Sequence, residues 1–202
     1  MTHAAIPPVD LWNGGTCPFG AGWRKVMMWW FIVTDGLLFA GFLASYGYAR
    51  VLTGGWPDTD AIFSLRYIAA MTFVLISSSA TMASAVRASA EGRTNVALRF
   101  VLLTALGGVL FLGMQAIEWR HLIAEGARLS ANPWGDAAFG AYFFLLTGFH
   151  GTHVLTGVVV LTATSVRLAR SAASPDGVEM AGLYWHFVDL VWVFIFTLFY
   201  LL

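Results

Sequence analysis

The residues of this chain that could do chemistry are few, and they stand inside its most apolar stretches. Asp35 interrupts WWFIVTDGLLFAGF, His150 and His153 stand in GFHGTHVL, His186 and Asp189 in YWHFVDLVW, and Glu118 with His121 spells Glu-x-x-His. Carboxylates and imidazoles carry protons, hold anions or cations, and ligate metals. His150 with His153, and His186 with Asp189, are three residues apart, so each pair shares a helix face. Such pairs either bond to neighbouring helices and hold a bundle together or take part in proton movement. Asp35 has no basic residue in its own stretch, which leaves a proton-related role, a lipid-headgroup role, or burial against another subunit. Metal chemistry is poorly provided for. A di-iron helix bundle needs two Glu-x-x-His pairs and two further glutamates, whereas this chain has one pair with Arg120 inside it. The single cysteine, Cys17, excludes a multi-cysteine site and a disulfide within the chain. Ser77, Ser78 and Ser79 have no histidine in their own stretch to activate them.

The elements that must position these residues follow from composition. Of 202 residues, 58% are hydrophobic and 11% charged, with a mean hydropathy of +0.73. Soluble domains carry about 25% charged residues, so the solvent for most of this surface is a bilayer. Eleven basic and eleven acidic residues cancel, which gives no field for nucleic acid. Crossing about 30 Å of hydrocarbon takes roughly 20 apolar residues. Five stretches suffice, at about 26–49, 67–86, 96–117, 138–166 and 180–202, joined by short glycine- and proline-bearing loops. The expected fold is all-α, a polytopic bundle of five transmembrane helices, as one domain over 24–202 behind a polar N-terminal arm, 1–23. That arm has neither the basic nor the apolar region of a secretory signal. Arg24, Lys25, Arg87, Arg93, Arg99, Arg167 and Arg170 fall on one side, and Arg50, Arg66, Arg120 and Arg128 on the other. The richer side is cytoplasmic by the positive-inside rule, which places the N-terminus there. Asp35 then lies about 15 Å deep by helical rise, and Glu118 closes the third span on the outer side. Gly107-Gly108 is a possible interruption of that span. Trp12, Trp23, Trp56, Trp119 and Trp134 fall near span ends, as an interfacial belt does.

Four segments carry a resemblance. GFHGTHVLTGVVVL and YWHFVDLVWVFIFTLFYL resemble the C-terminal signature of subunit III of haem-copper oxidases. LGGVLFLGMQAIEW, with Gln115 and Glu118, and WWFIVTDGLLFAGFLASYGYAR resemble two further helices of that family, in the same order. The likeness covers about residues 24–202. It implies a helical, non-catalytic subunit of a proton-pumping respiratory oxidase in the bacterial inner (plasma) membrane. Its partners would be the catalytic subunit I, which holds haem and copper, and subunit II. No cofactor is implied in this chain beyond bound phospholipid. The implied role is to support stability and proton uptake by the catalytic subunit through repeated turnovers.

Carried over by position, Asp35 stands where many members have a buried, carbodiimide-reactive glutamate near proton uptake. Arg167 stands where a basic side chain meets a lipid phosphate. Beside these, Glu118, His150, His153, His186 and Asp189 are expected from their spacing and depth to form a structural polar network. Two departures stand out. Many members have seven helices, the first two making a lipid-sheltering V, whereas five are expected here. Aspartate at position 35 resembles some quinol-oxidising members, so both cytochrome c and quinol stay open as electron donor. Two other readings are a subunit-III-like accessory protein of nitric oxide reductase and a free-standing proton or ion transporter. Transporters of that kind commonly show internal repeats and broken helices.

Overall fold

The computed structural model describes residues 22–54 and 56–201, so most of the N-terminal arm, with Trp12 and Cys17, lies outside the described residues. Five long helices account for nearly all of it: α1 (Trp23–Leu52), α3 (Leu65–Ala90), α4 (Thr94–Ala124), α5 (Ala137–Ala169) and α6 (Pro175–Ile195). A one-turn helix, α2 (Thr59–Ile62), precedes α3, and α6 runs on as a π-helical turn, Phe196–Leu201. All five are long and apolar enough to cross a membrane, at the positions the sequence indicates but extended at their ends. The shortest span, once α6 is followed through its π-helical turn to Leu201 (27 residues), is α3 with 26 residues, about 39 Å by helical rise. The excess over the hydrocarbon thickness carries the helices into the headgroup regions.

Local sequence sets the ends. Asp136 caps α5 by accepting from the Ala138 amide at 2.8 Å, and Ser174 caps α6 from in front of Pro175, which satisfies amides that have no helical partner. At the C-termini of α3 and α4 the chain turns through left-handed Gly92 (φ 73°) and Gly126 (φ 107°). The following amides reach back to Ala88 and Leu122, each at 2.9 Å, as in the Schellman motif. The same motif ends α5, with Ser171 in the left-handed position at φ 53°. Between α3 and α4, Glu91 bonds both Arg87 and Arg93. The Arg87 bond, then Arg93, holds its exposed carboxyl below the usual glutamate range.

Helices α3, α4, α5 and α6 close a ring in which each packs on the next and α6 returns to α3, while α1 lies outside, against α6 and α5. The ring closes tightly because small residues face a large one. Trp185 is fully buried and donates from Nε1 to Ser78 Oγ at 3.1 Å. A Cβ on Gly108 or Gly157 would fall 2.5 Å or 2.8 Å from its ring, and one on Gly107 would fall 2.6 Å from Ser78 Cβ. These glycines do not interrupt α4, which is continuous through them. Their role is close helix approach, the usual use of small residues in membrane bundles. Trp192 is likewise fully buried and bonds Thr72. Helix α1 buries little beyond Phe39 and Tyr46.

Candidate functional site

Asp35 is not alone in the membrane. Its Oδ2 lies 3.2 Å from Nε2 of His153 on α5, and the two side chains are only 10% and 14% exposed. The contact is within ion-pair reach, but the N–H axis misses Oδ2, which has no formed hydrogen bond. Several features hold the pair. His153 Nδ1 lies 2.9 Å from the Phe149 carbonyl, which can only accept, so Nδ1 carries the proton. The rings of Phe39 and Phe149 pack on the imidazole at centroid distances of 5.4 Å and 4.7 Å. Tyr184 of α6 donates to the His153 carbonyl at 3.1 Å. Gly36, next to Asp35, brings α1 close to Phe187. The site thus forms where α1 meets α5 and α6.

The remaining polar residues occupy three other places. His150 is fully buried, stacked on Trp192 and edge-on to Phe111, and neither ring nitrogen has a hydrogen-bond partner. His150 and His153 share a helix face in sequence, yet one enters the ring of helices and the other turns to α1. Glu118 does not close α4, which continues to Ala124. It is buried at 7% exposure, where Gln115 donates to it at 3.0 Å and Tyr200 of the terminal π-helical turn lies at 3.4 Å. His121, the other half of the Glu-x-x-His pair, is exposed and faces Glu125 at 3.1 Å, away from Glu118.

His186 and Asp189 meet a serine that their own stretch does not contain. Ser79 of α3 lies 2.6 Å from His186 Nδ1 and also interacts with Asp189. In a nucleophilic triad the serine and the acid engage opposite ring nitrogens. Here the acid engages the serine, so the cluster ties α6 to α3. Among the described residues, no three His, Cys, Asp or Glu side chains gather as metal ligands.

Arg167 lines an open groove of about 1080 Å³ at the end of the molecule that carries Trp23, Arg24 and Lys25. Its floor includes Met28, Val160 and Ala163, and its rim includes Asp176 and Glu179. Lys25 is paired with Glu179, and no ion pair of Arg167 occurs among the described residues.

Comparison with known proteins decides the family. The sequence profile of "Cytochrome c oxidase subunit III" matches residues 16–202. The chain belongs to the cytochrome c oxidase subunit III family. This subunit III is 34% identical over 193 residues to the cytochrome bo(3) ubiquinol oxidase subunit 3 of Pseudomonas aeruginosa, covering 94% of this chain and 87% of that one. It is 34% identical over 177 residues to a quinol oxidase subunit 3 of Bacillus subtilis, with 86% and 84% coverage. A probable cytochrome c oxidase subunit 3 of Mycobacterium bovis is 36% identical over 168 residues, with 81% and 80% coverage. It is therefore a multi-pass subunit III of a haem-copper oxidase of the cytochrome c or quinol type, and its partners are the catalytic subunits of that oxidase.

The sequence sets Asp35, His150, His153, His186 and Asp189 within apolar spans but does not pair them, and it sets Glu118, His121 and Arg167 just beyond spans whose helices in fact include them. The Asp35–His153 and Ser79–His186 contacts join helices far apart in the chain, and no local period signals them. Tyr184 carries no signal of its own within an aromatic run, and Ser79, which has no histidine in its own stretch, finds one on α6.

Proposed function

We propose that this subunit III supports the stability and proton uptake of the catalytic subunit without taking part in electron transfer, and that the Asp35–His153 pair is its functional centre. The observation that carries the reading is a carboxylate and an imidazole 3.2 Å apart, nearly enclosed, between a peripheral helix and the bundle. With Nδ1 committed to a carbonyl, Nε2 is the ring nitrogen left to face Oδ2, at ion-pair distance, and a small rotation of either side chain would align a proton between them. Such a pair can hold and release one proton in a region where lone ionisable groups are costly. The arrangement agrees with the buried carboxylate expected from the family likeness.

The groove around Arg167 has the form of a phospholipid seat. Arg167 and Arg24 offer charge to a phosphate, and the apolar floor offers contact to the first methylenes of a chain. The basic end of the molecule is read as cytoplasmic, in a bacterial inner membrane, where anionic headgroups also favour cations.

The test is Asp35→Asn in the assembled oxidase. Because the redox centres belong to the catalytic subunits, the initial rate should stay within a few-fold of normal. Pumping efficiency, or the number of turnovers before inactivation, should fall. Abolished first turnovers would place Asp35 on an obligatory proton path, and an unaltered time course would make it a packing residue.

A further inference from the structure

At hydrocarbon depth, almost every exposed face of this molecule asks nothing of its surroundings. The outer face of α4 presents Leu102, Leu106 and Leu110, and that of α5 presents Leu155 and Val159. The hydroxyls on such faces turn back onto their own helices. Thr34 bonds the Trp30 carbonyl, Thr156 that of Thr152, and Thr162 that of Val158. Lipid tails suffice to cover these surfaces.

The outer seam between α3 and α6 differs. His186 lies eleven residues into α6, and Ser79 eleven residues before the end of α3, each about 16 Å along its helix. Both are only partly buried. Nδ1 of His186 is taken by Ser79, and no hydrogen bond from Nε2 is found among the described residues. Behind them Asp189, at 8% exposure, has an Oδ1 with no hydrogen-bond partner. Beside them Ala80 and Ala83 are exposed, and α6 continues the face with exposed Leu190 and Phe194. Asp189 Oδ1 is enclosed within the chain, so the group that the seam turns outward is the imidazole, which hydrocarbon cannot satisfy, and polar side chains inside membranes face protein or a cavity. Small residues beside a polar group are what another helix needs for close approach and an interhelical hydrogen bond.

We propose that this seam is where a transmembrane helix of the catalytic subunit docks, with a hydrogen-bonding group set against His186. The proposal rests on this chain being a subunit of the oxidase. Lipid alone and a second copy of the chain are the rival occupants.

The experiment uses the complete oxidase in its native membrane. A photoreactive phenylalanine analogue replaces Ala80 in one version and Val159, on the outer face of α5, in another. The expected result is an adduct with the catalytic subunit from position 80 and lipid adducts from position 159. Adducts from position 80 with lipid only, or with a second copy, would overturn the proposal, as would capture of the catalytic subunit from position 159 alone. Two variants extend the test. Ala80→Trp blocks the seam from an exposed position and should reduce retention of this subunit in the purified complex. His186→Leu should weaken retention about threefold, the size of one average interhelical hydrogen bond. In neither variant should the haem spectrum change. Full retention of both variants would reject the seam. A chain that brings down no haem-bearing partner in any version would instead sink the subunit reading, and the seam with it.

Discussion

At the scale of single residues, the proposed function rests on a few side chains placed where an apolar solvent makes polarity expensive. Asp35 and His153 offset part of that cost by meeting, and the contact predicts a chemical handle. A hydrophobic carbodiimide should modify Asp35 ahead of the other carboxylates, with the adduct found by peptide mass spectrometry on the segment following Trp30. Preferential labelling of Glu118 or Asp189 would contradict this. Arg167 is a different kind of residue, since its charge faces a groove and no ion pair holds it among the described residues. Arg167→Ala should lose tightly bound phospholipid during purification while leaving the haem spectrum intact. Unchanged lipid content by mass spectrometry would count against the seat. The sequence indicated which residues could matter, because ionisable groups in apolar runs are conspicuous. It left Asp35 without a partner because that partner is on a distant helix. It set Glu118 at a helix end because Arg120 and His121 follow, and the structure carries α4 another turn and a half into the headgroup region.

At the scale of elements, the bundle is set by glycine against tryptophan. Gly108 and Gly157 border Trp185, whose indole reaches Ser78. Gly108→Ala places a Cβ against the ring tip and Val158, so the indole must shift and its bond to Ser78 is strained. Overpacking of this kind costs about 1–3 kcal/mol. The variant should unfold at lower temperature in detergent, and Gly113→Ala, where a Cβ meets nothing within 4 Å, should not. Equal melting of the two would show that the close approach is not required. The existence, order and approximate bounds of the five spans were legible from hydropathy alone, since the bilayer imposes a length on each. That Gly107-Gly108 serves packing and not a break was not legible, because a glycine pair in an apolar run reads the same way in either case. The neighbour that distinguishes them, Trp185, is two helices away.

At the scale of the whole molecule, orientation and partnership decide function. The seven-to-four basic bias predicts that the α3–α4 and α5–α6 loops face the cytoplasm. With Cys17→Ser as background, Ala172→Cys should resist an impermeant thiol reagent added to intact cells, and Leu129→Cys, on an exposed loop, should react. The reverse pattern would invert the molecule and move the Arg167 groove to the outer surface. Helix α1 keeps most of its apolar surface exposed, which fits a chain whose setting is a complex. The most direct test of the central claim is to purify the oxidase with and without this subunit and follow successive turnovers. The account predicts the same haem spectrum and nearly the same first-turnover rate in both, with earlier inactivation or weaker proton pumping when the subunit is missing. Loss of the haem signal, or abolition of the first turnovers on its removal, would contradict a supporting role.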